Sequence, residues 1–189
     1  MGAGSCLTNN VYIEEIEIKK EIDYFQKKND IVKFNEKEIN QFNLIALNLH
    51  NKFRENHNSQ KLALSDNLCK KAQQKVYDLI NKVENRIYNK DENNNYGENL
   101  YISLDNNVNI ANACQDWYNE KNNYNFELNK YQKGTTHFTQ MVWKDTKEIG
   151  FGYSKLYNGR SYFLALYHPS GNELFKFKEN IENKIENSK

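Results

Sequence analysis

Apolar positions along the first two thirds of the chain recur at intervals of three and four, the period of helices packed on one face. In the last third they run together in short blocks. Val11, Ile18, Ile22 and Phe25 share such a face, with Ile16 close to it. Glu15–Lys19 and Asp23–Lys27 are favourable i,i+4 pairs on the same stretch. An amphipathic helix is therefore predicted within residues 1–35. Its polar side is mixed in sign, so the pattern points to a helix packed on the main domain, or to a spacer, more than to docking on anionic lipid. A second helix is predicted to start at Asn35, where Asn35 and Glu38 have the N-cap and N3 spacing of a capping box. Phe42, Ile45, Ala46, Leu49 and Phe53 would form its buried stripe, and Asn56 and Asn58 its end. Residues 64–83 repeat the pattern with Leu68, Ala72, Val76, Leu79 and Ile80 inward. Residues 85–95 are polar and aperiodic, a loop. Residues 108–122 form a further helix with Ile110, Ala113, Cys114 and Trp117 on one face.

After residue 137 the period changes. The blocks IGFGY (149–153) and SYFLALY (161–167) are short, aromatic and aliphatic, as strands are. Asn158-Gly159 between them is a strong hairpin signal. Pro169, the one proline, stops the second strand. Helices followed by an antiparallel hairpin define an α+β class, with helices covering the sheet.

Composition narrows the picture. A chain of 189 residues suits one domain with some excess. Thirteen tyrosines and ten phenylalanines can build an aromatic core despite a mean hydropathy of -0.95. With 26 basic and 25 acidic residues, net charge +1, there is no general pull toward nucleic acid, and no nucleic-acid partner is expected. Cys6, Cys69 and Cys114 are too few, and odd in number, for a disulfide framework. No apolar h-region follows the start and no segment approaches the roughly 20 apolar residues of a spanning helix. The expected place is thus intracellular and peripheral to a membrane, with a soluble cytoplasmic protein as the alternative. MGAGSC offers Gly2 for N-myristoylation, with Cys6 where the common pattern has Ser or Thr. Cys6 as an S-palmitoyl site would supply the second chain that durable attachment needs.

Three residues carry candidate chemistry: Glu98 in YGENL, Glu120 in DWYNE and His137 in GTTHFTQMVW. Two carboxylates and an imidazole are types that hold a divalent metal or exchange protons. Their spacing alone does not bring them together. A capping Glu, a surface Glu and a packed histidine would give the same sequence.

In chain order, HNKFREN, AQQ (72–74), GENL, WYNE, HFTQMVW and YHPSGN resemble the CAP superfamily of cysteine-rich secretory, antigen 5 and pathogenesis-related 1 proteins. The resemblance spans about residues 41–175, and the Golgi-associated pathogenesis-related type is the nearest subgroup. It implies an α-β-α sandwich with a three-stranded antiparallel sheet, residues 36–178 as the domain, residues 1–35 as an extension and residues 179–189 as a polar tail. It also implies a cleft in which Glu98, Glu120 and His137 converge and can hold a divalent ion such as zinc. The family's first histidine has no counterpart: Ile87 or Tyr88 stands there. Weak or absent zinc binding by Glu98, Glu120 and His137 is therefore expected, with no other cofactor, and His137 is expected to hydrogen-bond Glu98 or Glu120. His50 matches a structural histidine of the first helix.

The function expected from this resemblance is membrane-peripheral binding, through N-terminal acylation, of a lipid or sterol ligand or of a protein partner. One alternative is a metal-dependent or His/Glu hydrolase, which would need a nucleophile beside a base. No Ser or Cys has that context, and Ser103 lacks an elbow motif. The other alternative is a non-catalytic scaffold with an idle cleft.

Overall fold

In the computed structural model, residues 31–32, 34–84 and 96–183 are described, the side chains of 81–84 excepted. The predicted N-terminal amphipathic helix, Gly2, Cys6, the loop 85–95 and the positions Ile87 and Tyr88 lie outside the described residues.

Asn35 does cap α1 (Glu36–Glu55). Its side chain accepts the Glu38 N–H at 3.0 Å while the Glu38 carboxylate accepts the Asn35 N–H at 2.8 Å, a complete capping box. The buried side of α1 is more polar than the predicted stripe: Asn43, Ala46, His50, Phe53 and Arg54 are inside, while Ile45 is exposed. A two-residue strand, β1 (Ala63–Leu64), precedes α2 (Asp66–Glu84), on which Leu68, Ala72, Val76 and Ile80 are buried. Next come β2 (Gly97–Ser103) and α3 (Ile110–Asn119). A 3-10 turn (Glu120–Asn123) closes α3, and a second (Phe126–Leu128) follows. The apolar run after Gly134 is a helix, α4 (Thr136–Val142). The hairpin strands are β3 (Glu148–Lys155) and β4 (Ser161–His168), and a short α5 (Phe177–Asn180) ends the fold.

The sheet runs β1-β3-β4-β2. β2, β4 and β3 are antiparallel, as expected, and β1 adds a fourth strand parallel to β3. This differs from the three expected because a two-residue strand leaves no alternation to read. One core lies between the sheet and the layer of α1, α3 and α4, around Trp117, Phe138, Phe151 and Phe163. A smaller core lies under α2, around Leu68, Val76, Leu164 and Leu166. The architecture is the α-β-α sandwich expected from the sequence.

Gly150 and Gly152 explain how close α2 comes to β3. A Cβ on Gly150 would lie 2.3 Å from the backbone of Leu68 and Cys69, and one on Gly152 would lie 2.5 Å from the Ala72 backbone. Helix and strand therefore touch main chain to main chain. From the same helix, the Gln73 amide accepts the Tyr153 N–H at 3.1 Å and donates to the Tyr153 carbonyl at 3.0 Å, and Cys69 Sγ accepts the Phe151 N–H at 3.4 Å. Further along, Val32 N–H donates to the Lys155 carbonyl at 2.7 Å and Ile31 bridges Leu156. Residues 31–32 thus belong to the folded body. At the other end packing continues past residue 178: Asn180 and Ile181 are buried and Glu182 pairs with Lys144.

Candidate functional site

α3 ends at Asn119, and the turn that follows aims Glu120 at the start of α4. Its carboxylate accepts three N–H groups: His137 Nδ1 at 2.6 Å, the His137 backbone at 2.9 Å and the Phe138 backbone at 3.1 Å. Donors at a helix start have no intrahelical partner, so a carboxylate there completes them. Thr135 makes no side-chain cap, and Glu120 serves that end of α4 from a distance in sequence. Because a carboxylate only accepts, the Nδ1 proton of His137 is fixed toward Glu120 and Nε2 is left as the other ring nitrogen. The imidazole is about one third exposed and lies over Trp117, ring centres 6.2 Å apart.

Glu98 is placed differently. β2 alternates faces, and Asn99 and Tyr101 point to the α3–α4 layer: Asn99 donates to the His137 carbonyl at 3.1 Å and Tyr101 to Asp116 at 2.8 Å. Glu98 and Leu100 point to the α2 face. There Lys75 of α2 donates to Glu98 at 2.6 Å, while Lys71 one turn earlier donates to Tyr96 at 2.7 Å. Of the three residues expected in one cleft, the structure joins Glu120 and His137 and pairs Glu98 with Lys75. Among the described residues no three of His, Cys, Asp and Glu are grouped to hold a metal ion. The donor set fits zinc poorly: His137 Nε2 is its one nitrogen donor, Glu120 is spent on N–H groups, and Glu98 already faces a cation. Sequence reading missed Lys75, since nothing local distinguishes it from other helix-surface lysines.

Behind the pair runs a buried polar chain. Asn99 Nδ2 donates to the Tyr167 hydroxyl at 3.0 Å. That hydroxyl donates to His50 Nε2 at 2.9 Å, and His50 Nδ1 donates to the Ala46 carbonyl at 2.8 Å. Complete burial lowers the His50 pKa to about 4, which keeps it neutral and able to accept from Tyr167. Burial also raises Tyr167 well above its ordinary value. Arg54 spans the same layer, donating to the carbonyls of Gln60, Met141, Trp143 and Thr146 at 2.7–3.1 Å. It fixes the C-terminal end of α4, as Glu120 fixes the N-terminal end. Gln140 locks the mouth of this layer: its Oε1 accepts the Gly171 N–H at 2.8 Å, and a Cβ on Gly97 would lie 1.9 Å from that oxygen. The glycine of GENL is thus set by contact with the glutamine of HFTQMVW.

A three-layer α-β-α body with a carboxylate–imidazole pair across a helix start, backed by an Asn–Tyr–His chain, defines the class of protein. A family model described as the Cysteine-rich secretory protein family (CAP) matches residues 47–167, and the chain belongs to that family. Golgi-associated plant pathogenesis-related protein 1 of Homo sapiens is 35% identical over 144 residues, 75% of this chain and 92% of that protein. Protein PRY2 of Saccharomyces cerevisiae is 30% identical over 143 residues, 74% of this chain and 41% of that protein. Schistosoma mansoni venom allergen-like protein 4 has the same fold, with a TM-score of 0.58 at 24% identity over 81% of this chain and 97% of that one.

Proposed function

We propose that this chain is a membrane-peripheral binding module whose Glu120–His137 pair shapes a cleft instead of running a hydrolysis. One observation carries the reading: Glu120 spends its carboxylate on three N–H groups at the start of α4. A carboxylate so committed positions His137 and holds two segments together. A hydrolytic site also needs a nucleophile within hydrogen-bond reach of its base. Among the described residues no hydroxyl or thiol stands in that relation to His137 in the hydrogen bonds of the structure. The ligand class proposed is a lipid or sterol, or a protein surface.

Membrane attachment is proposed to run through acylation at Gly2 and Cys6. Among the described residues no helix is long and apolar enough to cross a membrane. One acyl chain gives marginal, reversible binding and two give durable attachment. The test is metabolic labelling with myristate and palmitate analogues, followed by liposome flotation. Myristate label is expected on the wild type and not on Gly2→Ala, with flotation weakened in Cys6→Ser. Equal labelling of wild type and Gly2→Ala would refute the anchor.

A further inference from the structure

A cavity of about 360 Å³ lies against the β3 edge, away from the Glu120–His137 pair. α1 supplies Ile39 and Phe42 to its wall, α2 supplies Tyr77, and β3 supplies Phe151 and Tyr153. Phe42 stacks on Tyr153 with ring centres 4.9 Å apart, and Phe34 closes on Tyr153 at 4.8 Å. Ile39 is 42% exposed and Tyr77 39%, so each helix leaves an apolar side chain at the mouth in solvent. A groove between two helices with such walls takes the apolar face of a further helix.

The chain itself leads to this groove. Ile31 and Val32 line the cavity and are pinned to the far end of β3, where Val32 N–H donates to the Lys155 carbonyl at 2.7 Å and Ile31 bridges Leu156. The thirty residues before Ile31 lie outside the described residues, and the amphipathic helix predicted within them has no place yet in the fold. Its apolar side includes Ile18, Ile22 and Phe25, at i, i+4 and i+7. In a helix Ile18 to Phe25 covers about 10 Å, and β3 from Phe151 to Ser154, the stretch that lines the cavity, also covers about 10 Å. The bridge at Ile31 is antiparallel, so the chain before it has to turn back to reach the cavity. Residues 26–30 (QKKND) are all polar, include turn formers and reach up to about 17 Å. Glu38, the one charged side chain among the described lining residues, is opposite in sign to Lys27 and Lys28.

We infer that this groove is the docking site for the chain's own N-terminal extension, with Ile18, Ile22 and Phe25 seated between α1 and α2. The tether favours this occupant over a second copy. A segment joined to the rim by residues 26–30 competes at an effective concentration on the order of millimolar, which an untethered copy has to match. The mixed-sign polar side of the extension suits the role, because a helix docked by its apolar face keeps that side in water. Docking also removes Ile39 and Tyr77 from solvent. The contact requires neither acylation nor the Glu120–His137 pair, so it stands apart from the function proposed above.

The test uses the full, unacylated chain and reads each side of the contact from the other. Ile22→Asp/Phe25→Asp changes the extension and is read on the groove by amide NMR and hydrogen exchange. Shifts are expected at Ile39, Phe42, Tyr77 and residues 151–155, with exchange there about tenfold faster, while β2 and β4 stay as in the wild type. Lys20→Asp, on the opposite side of the predicted helix, is expected to leave the groove amides unchanged. Ile39→Asp changes the groove and is read on the extension by trypsin, which cuts after Lys19, Lys20, Lys27 and Lys28. Cleavage there is expected to be about tenfold faster than in the wild type, with Tm unchanged because Ile39 lies at the surface. The proposal is overturned by groove amides that do not respond to Ile22→Asp/Phe25→Asp, by an equal response to Lys20→Asp, or by cleavage unchanged in Ile39→Asp. Groove shifts of the wild type that vary with protein concentration also overturn it, since a second copy is then the cover.

Discussion

His50 is neutral where it sits, with Nδ1–H on the Ala46 carbonyl and Nε2 accepting from Tyr167. In the unfolded chain an imidazole titrates near 6.5, and here burial holds it at about 4. Between those values the unfolded chain binds a proton that the folded chain refuses. Stability from this residue is therefore complete above about pH 6.5 and falls as pH drops toward 4, by about 3 kcal/mol in all. Urea unfolding at pH 7 and pH 4.5 should show that loss, and His50→Gln should flatten it. Phe175 presents the opposite case: it is 95% exposed and held at φ 70, a left-handed conformation uncommon for a bulky residue. Phe175→Gly should raise stability by about 1 kcal/mol in thermal unfolding, since strain is relieved and little burial is lost. At this scale the sequence made His137 and Glu120 visible, because their motifs are local. The partner of Glu98 was hidden. Strand alternation in GENLYIS would have put Glu98 and Asn99 on opposite faces, but GENL alone is too short to show its period, and Lys75 is brought in by tertiary packing.

Elements were legible where a long face repeats. The capping box of α1, the inward face of α2, the buried face of α3 and the hairpin follow directly from residue spacing. The face of α1 was read in part: Ala46 and Phe53 are buried and Phe42 and Leu49 pack on the same core, but Ile45 is outside and the fold also buries Asn43 and, in hydrogen bonds, His50 and Arg54. No apolar pattern encodes a buried polar stripe. α4 was hidden for a related reason: all of Phe138 to Val142 is buried, so the segment has no polar face to mark its period. The glycines of β3 are a stronger signal than composition suggested. Gly152→Ala puts a methyl 2.5 Å from the Ala72 backbone, which cannot rotate away as a side chain can. Overpacking of that kind costs about 1–3 kcal/mol or more. A fall in Tm of several degrees is expected, whereas Gly134→Ala, with open space around it at φ 78, should cost less.

For the molecule as a whole, the domain limits of 36–178 are too narrow as a description of what packs. Asn180 Oδ1 accepts the Asp145 N–H at 2.8 Å, Ile181 is 5% exposed, and the Glu182 carbonyl accepts from His57 Nδ1 at 2.7 Å. A chain ended after Lys178 loses these together, and about 2–4 kcal/mol of stability should go with them, the range of a large buried truncation. Denaturant midpoints of the full and shortened chains will check this. The spacing of residues carried no warning, since apart from Phe177 and Ile181 the groups that hold this segment are polar.

Gln73 has a consequence for many copies of the chain as well as for one. β1 covers only the first residues of β3, and the rest of that strand would otherwise offer bare N–H and C=O groups to any extended peptide. Gln73 occupies both groups of Tyr153 with its own amide, Cys69 takes Phe151, and Val32 takes Lys155. The rim is sealed from within by two side chains and one backbone N–H of the same molecule. Neighbouring molecules find no template there for stacking strand upon strand, so crowding on a surface need not lead to fibrils.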